Sequence, residues 1–72
     1  MTDVRAEITA NVWQVSVVVG QPVDEDETLV ILESMKMEIP VGAPCAGVVS
    51  EIRAVPATMV NEGDVLAVIT PA

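Results

Sequence analysis

The 72-residue sequence contains no histidine, phenylalanine or tyrosine, and it has a single tryptophan and a single cysteine. One cysteine cannot form a disulfide within the chain, and the usual cysteine and histidine ligands of a zinc site are missing. Basic residues are also few, with 3 Lys and Arg against 11 acidic residues and a formal net charge of −8. Because nucleic-acid binding needs basic side chains to neutralise phosphates, we expect no nucleic-acid partner, and we interpret the acidity as favouring solubility.

Long apolar segments are absent as well. No apolar run approaches the roughly 20 residues that span a membrane, and the amino-terminal MTDVRAEI lacks the basic start and apolar stretch of a secretory signal. We therefore expect a cytoplasmic protein without membrane association, and a monomer on its own. The length predicts one domain, residues 1–72, with a small stability margin because short chains bury a smaller fraction of their surface.

The residues that are present favour strands. Hydrophobic residues make up 51% of the chain, and the β-branched ones among them suit pleated strands. Turn signals separate short apolar runs, and no stretch has a helical period. The pattern predicts an all-β fold with strands at residues 4–10, 12–19, 29–33, 37–41, 47–55 and 65–70.

An internal repeat organises these strands. Shifting the sequence by 37 positions matches Val12 with Val49, Leu29 with Leu66, and the acidic turn 23–25 with 60–62. Two copies of a strand–turn–strand unit are therefore predicted, and we expect them to pack face to face because neither buries its apolar face alone. Asp26 replaces Gly63 in the first turn, and we expect this copy to be more strained and more mobile.

Lys36, the only lysine, lies between the two copies. We predict a tight hairpin turn around Ser34, Met35 and Lys36, since serine is a fair turn residue, and an exposed, accessible amine at its tip. An ordinary lysine amine has a pKa near 10.4, so only about one in 2,500 is neutral and nucleophilic at pH 7. No histidine or other obvious base stands beside it, so any reaction of this amine requires activation by a partner enzyme.

The segment Glu33-Ser34-Met35-Lys36-Met37 resembles the attachment motif of biotinyl carrier domains. The flanking glycines and valines, such as Gly20-x-x-Val23 and Ala46-Gly47-x-Val49, are similar too, and the resemblance covers about residues 4–70. The length and the DVRAEI start resemble small standalone biotinylated proteins of actinobacteria.

The fold implied by this resemblance is a flattened β-barrel, or sandwich, of two four-stranded antiparallel sheets with a pseudo-twofold axis. The lysine is expected on a hairpin turn at one end, with the termini at the other. Two further short strands are then expected around 21–23 and 58–60. The two turn connections have equal length, as in the thumbless class of these carriers.

The function implied by the resemblance is that of a carrier and not of an enzyme. Lys36 would be biotinylated covalently by a biotin protein ligase, and the biotin would carry a carboxyl group between biotin carboxylase and carboxyltransferase subunits. The candidate recognition residues for these partners are Glu33, Ser34, Met35, Met37 and Glu38. The methionines are expected to form a soft contact surface, while the two glutamates are equally well explained as solvated strand residues or as ligase contacts.

Two alternative functions remain compatible with the fold. A lipoyl carrier would bear lipoate on the same lysine for acyl or aminomethyl transfer, although lipoyl domains usually flank it with aspartate and a small residue. An unmodified interaction module is the other, and no residue favours it. Outside the motif, we expect Trp13 to pack against the body of the protein more than to dock a partner, and Cys45 to be an inert small residue.

Overall fold

The computed structural model describes residues 1–72 and contains eight strands and no helix. The strands are β1 (Thr2–Arg5), β2 (Ala10–Val15), β3 (Pro22–Val23), β4 (Thr28–Ser34), β5 (Met37–Gly42), β6 (Gly47–Ile52), β7 (Met59–Val60) and β8 (Val65–Pro71). They form two four-stranded antiparallel sheets, with strand order β1-β8-β6-β3 in sheet A and β5-β4-β2-β7 in sheet B. The predicted all-β fold with two four-stranded sheets is confirmed. No helix in the structure could cross a membrane.

The 37-residue offset holds for the whole fold. Strands β2, β3 and β4 begin 37 positions before β6, β7 and β8, respectively. The register of β2 against β4 shifts between Val12 and Gln14, and that of β6 against β8 shifts at the equivalent place, between Val49 and Glu51. Residues 39–42 of β5 are the counterpart of β1, so most of the segment that we expected to lie outside both copies belongs to the second one.

The two copies interlock through their edge strands. The centre of sheet B is the β2–β4 pair of the first copy, but its edge strands β5 and β7 come from the second, and sheet A has the reverse composition. Each central pair has two open edges with unpaired backbone N–H and C=O groups. The edge strands of the other copy form hydrogen bonds with these groups. The expected face-to-face packing is therefore correct for the central pairs and wrong for the edge strands.

The core lies between the two sheets and is entirely aliphatic. Its largest fully buried side chains are Leu29, Leu32, Leu66, Ile69, Val12, Val30 and Val49. Leu29 is the symmetry counterpart of Leu66, and Leu32 that of Ile69, so the pseudo-twofold axis passes through the core. Fully burying a side chain of this kind contributes about 1.5–3 kcal/mol, which explains how a domain with no buried aromatic residue holds together.

Several predicted strand boundaries are wrong. Residues 6–9 form a loop instead of continuing the predicted first strand. Ala6 still bonds to the turn before β8, since its amide donates to the Asp64 carbonyl and its carbonyl accepts from the Gly63 amide. The second strand ends at Val15, so the apolar residues 18 and 19 lie exposed in a loop, and the run at 47–55 ends at Ile52. The two additional short strands expected from the resemblance are confirmed as β3 and β7.

Candidate functional site

The β4–β5 hairpin positions Lys36. Its register pairs Ser34 with Met37, so Met35 and Lys36 are the two central residues of a two-residue turn. Both have positive φ, 51° and 64°, which is the combination of a type I′ turn, whose twist matches that of the flanking strands. Each L-residue in this left-handed region costs about 1–2 kcal/mol. Two of the four non-glycine residues with positive φ therefore lie in the turn that carries the only lysine.

The turn projects into solvent. Met35 is 88% exposed and Met37 is 59% exposed, and the Lys36 side chain is exposed as well. The two ion pairs of the molecule join Arg5 to Asp3 and Arg53 to Glu51, so the Lys36 ammonium group is not held in a salt bridge. The predicted hairpin position and accessibility of this amine are confirmed.

The turn and the chain termini lie at opposite ends of a body that measures 35 × 17 × 17 Å. Thr2 pairs with Ile69 at the far end of sheet A. Strand β1 runs from there toward the other end, where the loop that follows it hydrogen-bonds to Gly63. At that end β7 pairs with the start of β2, and Asn11 of β2 pairs with Glu33 beside the turn. The arrangement leaves the lysine end of the body free of chain termini.

Two glutamates flank the turn on one surface. Glu33 and Glu38 are directly opposite each other in the β4–β5 register, and both are exposed on the outer face of sheet B. Directly opposed residues have Cβ atoms about 4.5–5.5 Å apart, at which distance like charges destabilise a sheet. The half-buried Ser34 and the exposed Met37 form the next pair. The hairpin therefore brings together all the residues that the sequence indicated as candidates for recognition.

Trp13 lies half-exposed on the outer face of sheet B. It is 49% exposed because it follows the buried Val12 in β2, and side chains alternate between the two faces along a strand. This alternation could have indicated the exposure from the sequence, whereas the expectation of packing followed the usual burial of large aromatic side chains. Cys45 is half-buried against the core, and its inertness stays a prediction.

No pocket for a small molecule lies at the turn. The larger surface groove, about 370 Å³, runs between β1 and β5 and is lined by residues such as Arg5, Ile8 and Pro40. Neither this groove nor the smaller one is lined by any residue from 33 to 38. The Lys36 amine is therefore an exposed side-chain nucleophile on a turn without a surface groove.

Comparison with known proteins gives concordant results. A protein-family model described as "Biotin-requiring enzyme" matches residues 1–69. The "Biotinylated protein TB7.3 homolog" of Mycobacterium leprae is 48% identical over 68 residues, which is 94% of this chain and 96% of that protein. The "Biotin/lipoyl attachment protein" of Bacillus subtilis is 43% identical over 88% of this chain and 86% of that protein. The crystal structure of the Kluyveromyces lactis urea carboxylase superposes on 96% of this chain with a TM-score of 0.91 and 35% identity, although the match is 6% of the carboxylase chain.

Proposed function

The chain belongs to the biotin/lipoyl attachment family and is a biotin-requiring carrier domain, and we propose that it carries biotin as an amide on Lys36. The observation that carries this proposal is the β4–β5 turn. It presents the only lysine of the chain at a tip between two exposed methionines. The absence of a pocket at the turn agrees with covalent attachment.

The attachment step uses Lys36 as a nucleophile. The neutral Nζ attacks the acyl carbon of biotinyl-adenylate, AMP leaves with the bonding electron pair, and the amine loses a proton as the amide forms. The modification removes one positive charge from a chain whose formal net charge is already −8. The chain offers no histidine to accept the proton, so the base and the activated acyl group come from a biotin protein ligase.

The carrier role follows from where the amine is presented. Attached biotin supplies a ring nitrogen that accepts and donates a carboxyl group. This chain holds the biotinyl-lysine side chain, the arm, at one end of its elongated body. Tethering raises the effective concentration of the prosthetic group at each active site that the arm reaches. We infer biotin carboxylase and carboxyltransferase subunits as the partners, in the cytoplasm, with Glu33, Ser34, Met35, Met37 and Glu38 as recognition residues. The likeness to a segment of a urea carboxylase supports these partners.

The first prediction concerns the attachment residue. When the chain is coexpressed with an active biotin protein ligase and biotin, its intact mass should increase by one biotinyl group, and the product should bind streptavidin. The Lys36→Arg variant, which keeps the positive charge, should show neither change. As a matched control, Lys36→Arg combined with Arg53→Lys restores one lysine outside the turn and should also remain unmodified. An unmodified wild-type chain, or an adduct on Lys36→Arg, would contradict the proposal.

Lipoate is the second candidate cofactor. It is favoured by the 43% identity to a Bacillus subtilis protein that is named a biotin/lipoyl attachment protein. The same turn and the same nucleophile would serve, with lipoate bound as an amide on Lys36. Intact mass after coexpression with a lipoate ligase separates the two adducts, because biotinyl and lipoyl groups add different masses.

A further inference from the structure

The two halves of the chain depend on each other for most of their strand pairing. The first half, residues 1–34, contains β1 to β4, and the second half, residues 37–72, contains β5 to β8. Only the β2–β4 and β6–β8 pairs form within a half. The other strand pairs, namely β1–β8, β2–β7, β3–β6 and β4–β5, join one half to the other. Since a half alone leaves these edges unpaired and its core face open, it needs a complementary half in order to fold.

One turn is the only covalent connection between the halves. It consists of Met35 and Lys36, whereas at the opposite end of the body the halves finish in separate chain termini. The side chains of both turn residues are exposed, and the side-chain hydrogen bonds and ion pairs of the molecule involve other residues. The backbone conformation of the turn therefore sets the direction in which the second half leaves the first.

That backbone is strained in the closed hairpin. Met35 and Lys36 have φ values of 51° and 64°, and turns of this kind are normally formed by Asn-Gly or other residues that tolerate positive φ. Other L-residues are more stable in the extended region. If these two residues act as a hinge and open, both become extended and the second half moves away from the first. Short hinges under strain favour the exchange of equivalent segments between chains.

We propose that two molecules of this protein exchange halves about the hinge, Met35 and Lys36, and form a swapped dimer. Each body of the dimer contains residues 1–34 of one chain and 37–72 of the other, so every strand pair and the core are preserved. Release of the strained hinge in both chains favours the dimer, whereas the loss of tethering and the net charge of −8 on each chain oppose it. The dimer therefore forms at high protein concentration and high salt, and the dilute chain is monomeric.

The open hinge changes how Lys36 is presented. In the monomer the amine stands at the tip of a hairpin, and in the dimer it lies in an extended segment between two bodies. A partner that requires the hairpin tip would therefore act on the monomer alone. This consequence for attachment rests on the proposed function, whereas the exchange of halves does not.

Refolding from urea at two protein concentrations, followed by size-exclusion chromatography with light scattering, tests the exchange. Wild type should refold as a monomer at about 10 μM and partly as a dimer at about 1 mM, the range of effective concentration that short linkers provide. Met35→Pro, whose φ near −65° does not fit the closed turn, should lower the dissociation constant of the dimer about tenfold. Met35→Asn combined with Lys36→Gly, the preferred residues of the closed turn, should raise it about tenfold. Wild type that stays monomeric at the higher concentration would overturn the proposal, whatever the variants do.

A disulfide measurement distinguishes the swapped dimer from two intact bodies in contact. Glu33 and Glu38 are directly opposed across β4 and β5, at a Cα separation of about 4.5–5.5 Å that a disulfide spans. In a Cys45→Ser background, one chain carries Glu33→Cys and a second carries Glu38→Cys. After the two are refolded together at high concentration and oxidised, the dimer with one chain of each kind should contain a disulfide between its chains. Either chain refolded alone should form none, and a mixed dimer without the disulfide would contradict the exchange.

The matched control carries both new cysteines in one chain, oxidised as a monomer before it is unfolded. Its disulfide holds the hairpin closed, so the chain should refold as a monomer at both concentrations. A dimer of this variant would show that association does not need an open hinge, and it would contradict the proposal. Neither measurement involves biotin, so a failure of the exchange and a failure of the proposed function are distinguishable.

Discussion

At the scale of single residues, the four non-glycine residues with positive φ form two groups. Asp26 and Ala57, at 70° and 68°, are the symmetry counterparts of Gly63 and Gly20, at 92° and 93°. The repeat thus uses glycine at each of these turn positions in one copy and a less suitable residue in the other. Met35 and Lys36 have no glycine counterpart, and their strain belongs to the β4–β5 turn. The expected strain at Asp26 is confirmed by its φ, while its greater mobility stays a prediction.

The strain at Ala57 gives a prediction on stability. Ala57→Gly should raise the free energy of unfolding by about 0.5–1 kcal/mol, because relief of left-handed strain exceeds the added flexibility of the unfolded chain. The measurement is urea unfolding followed by Trp13 fluorescence. Ala46→Gly, at an exposed alanine without positive φ, should lower the same quantity by a similar amount. Equal effects of the two substitutions would show that the φ of Ala57 stores no strain.

At the scale of the strands, the two sheets differ where their central pairs begin. Gly47 starts β6, and a Cβ atom added there would overlap the Thr70 carbonyl oxygen and lie 2.9 Å from Ile69 Cγ2. Its counterpart Ala10 starts β2 and carries a Cβ atom without difficulty. The backbone of β8 therefore leaves no room for a side chain at the start of β6, whereas the start of β2 accommodates an alanine.

This close approach predicts a large effect of one methyl group. Gly47→Ala should lower the free energy of unfolding by about 3 kcal/mol, since the backbone of β8 has to move to admit the new atom. Gly20→Ala is the matched control, because a Cβ atom there meets nothing within 4 Å and the substitution adds only left-handed strain, about 1 kcal/mol. Urea unfolding of both variants provides the test. The close approach would be contradicted if Gly47→Ala were no more destabilising than Gly20→Ala.

At the scale of the whole molecule, the end opposite the lysine turn is its symmetry counterpart. Thr2 pairs with Ile69 as Ile39 pairs with Leu32, so β1 and β8 pair at this end as β5 and β4 do beside the hairpin. Ala72 is the symmetry counterpart of Met35. Two residues added between Ala72 and Met1 would correspond to Lys36 and Met37, and the closed chain would be twice the 37-residue repeat. The pseudo-twofold symmetry therefore predicts the length of the linker that would join the two termini.

Cyclisation tests that symmetry. A head-to-tail cyclic chain with Ala72→Asn and an inserted Gly-Thr before Met1 supplies the residues that a type I′ turn prefers. It should be more stable than its linear form by about 3 kcal/mol, because closure restricts the unfolded chain. Thermal unfolding of the two forms measures the difference. A cyclic chain without the two inserted residues is the control. It should gain less, and an equal gain would contradict the symmetric register.

The sequence alone determined the period of the fold and the place of its only lysine. The 37-residue offset, the turn around Lys36 and the exposure of Met35 and Met37 could be predicted because hydrophobic pattern, turn residues and motif are local properties. The resemblance to biotinyl carriers added the two short strands, which are too brief to show a pattern of their own.

Only the tertiary structure decided which strands pair and which side chains reach the surface. Apolar alternation indicates a buried face but not a neighbouring strand, so the exchange of β1, β3, β5 and β7 between the copies could not be predicted from it. The register shift beside Trp13 depends on how β2 pairs with β4, and the closeness of Gly47 to Thr70 depends on how two strands pack. Each of these properties arises from residues far apart in the chain, and no local pattern contains them.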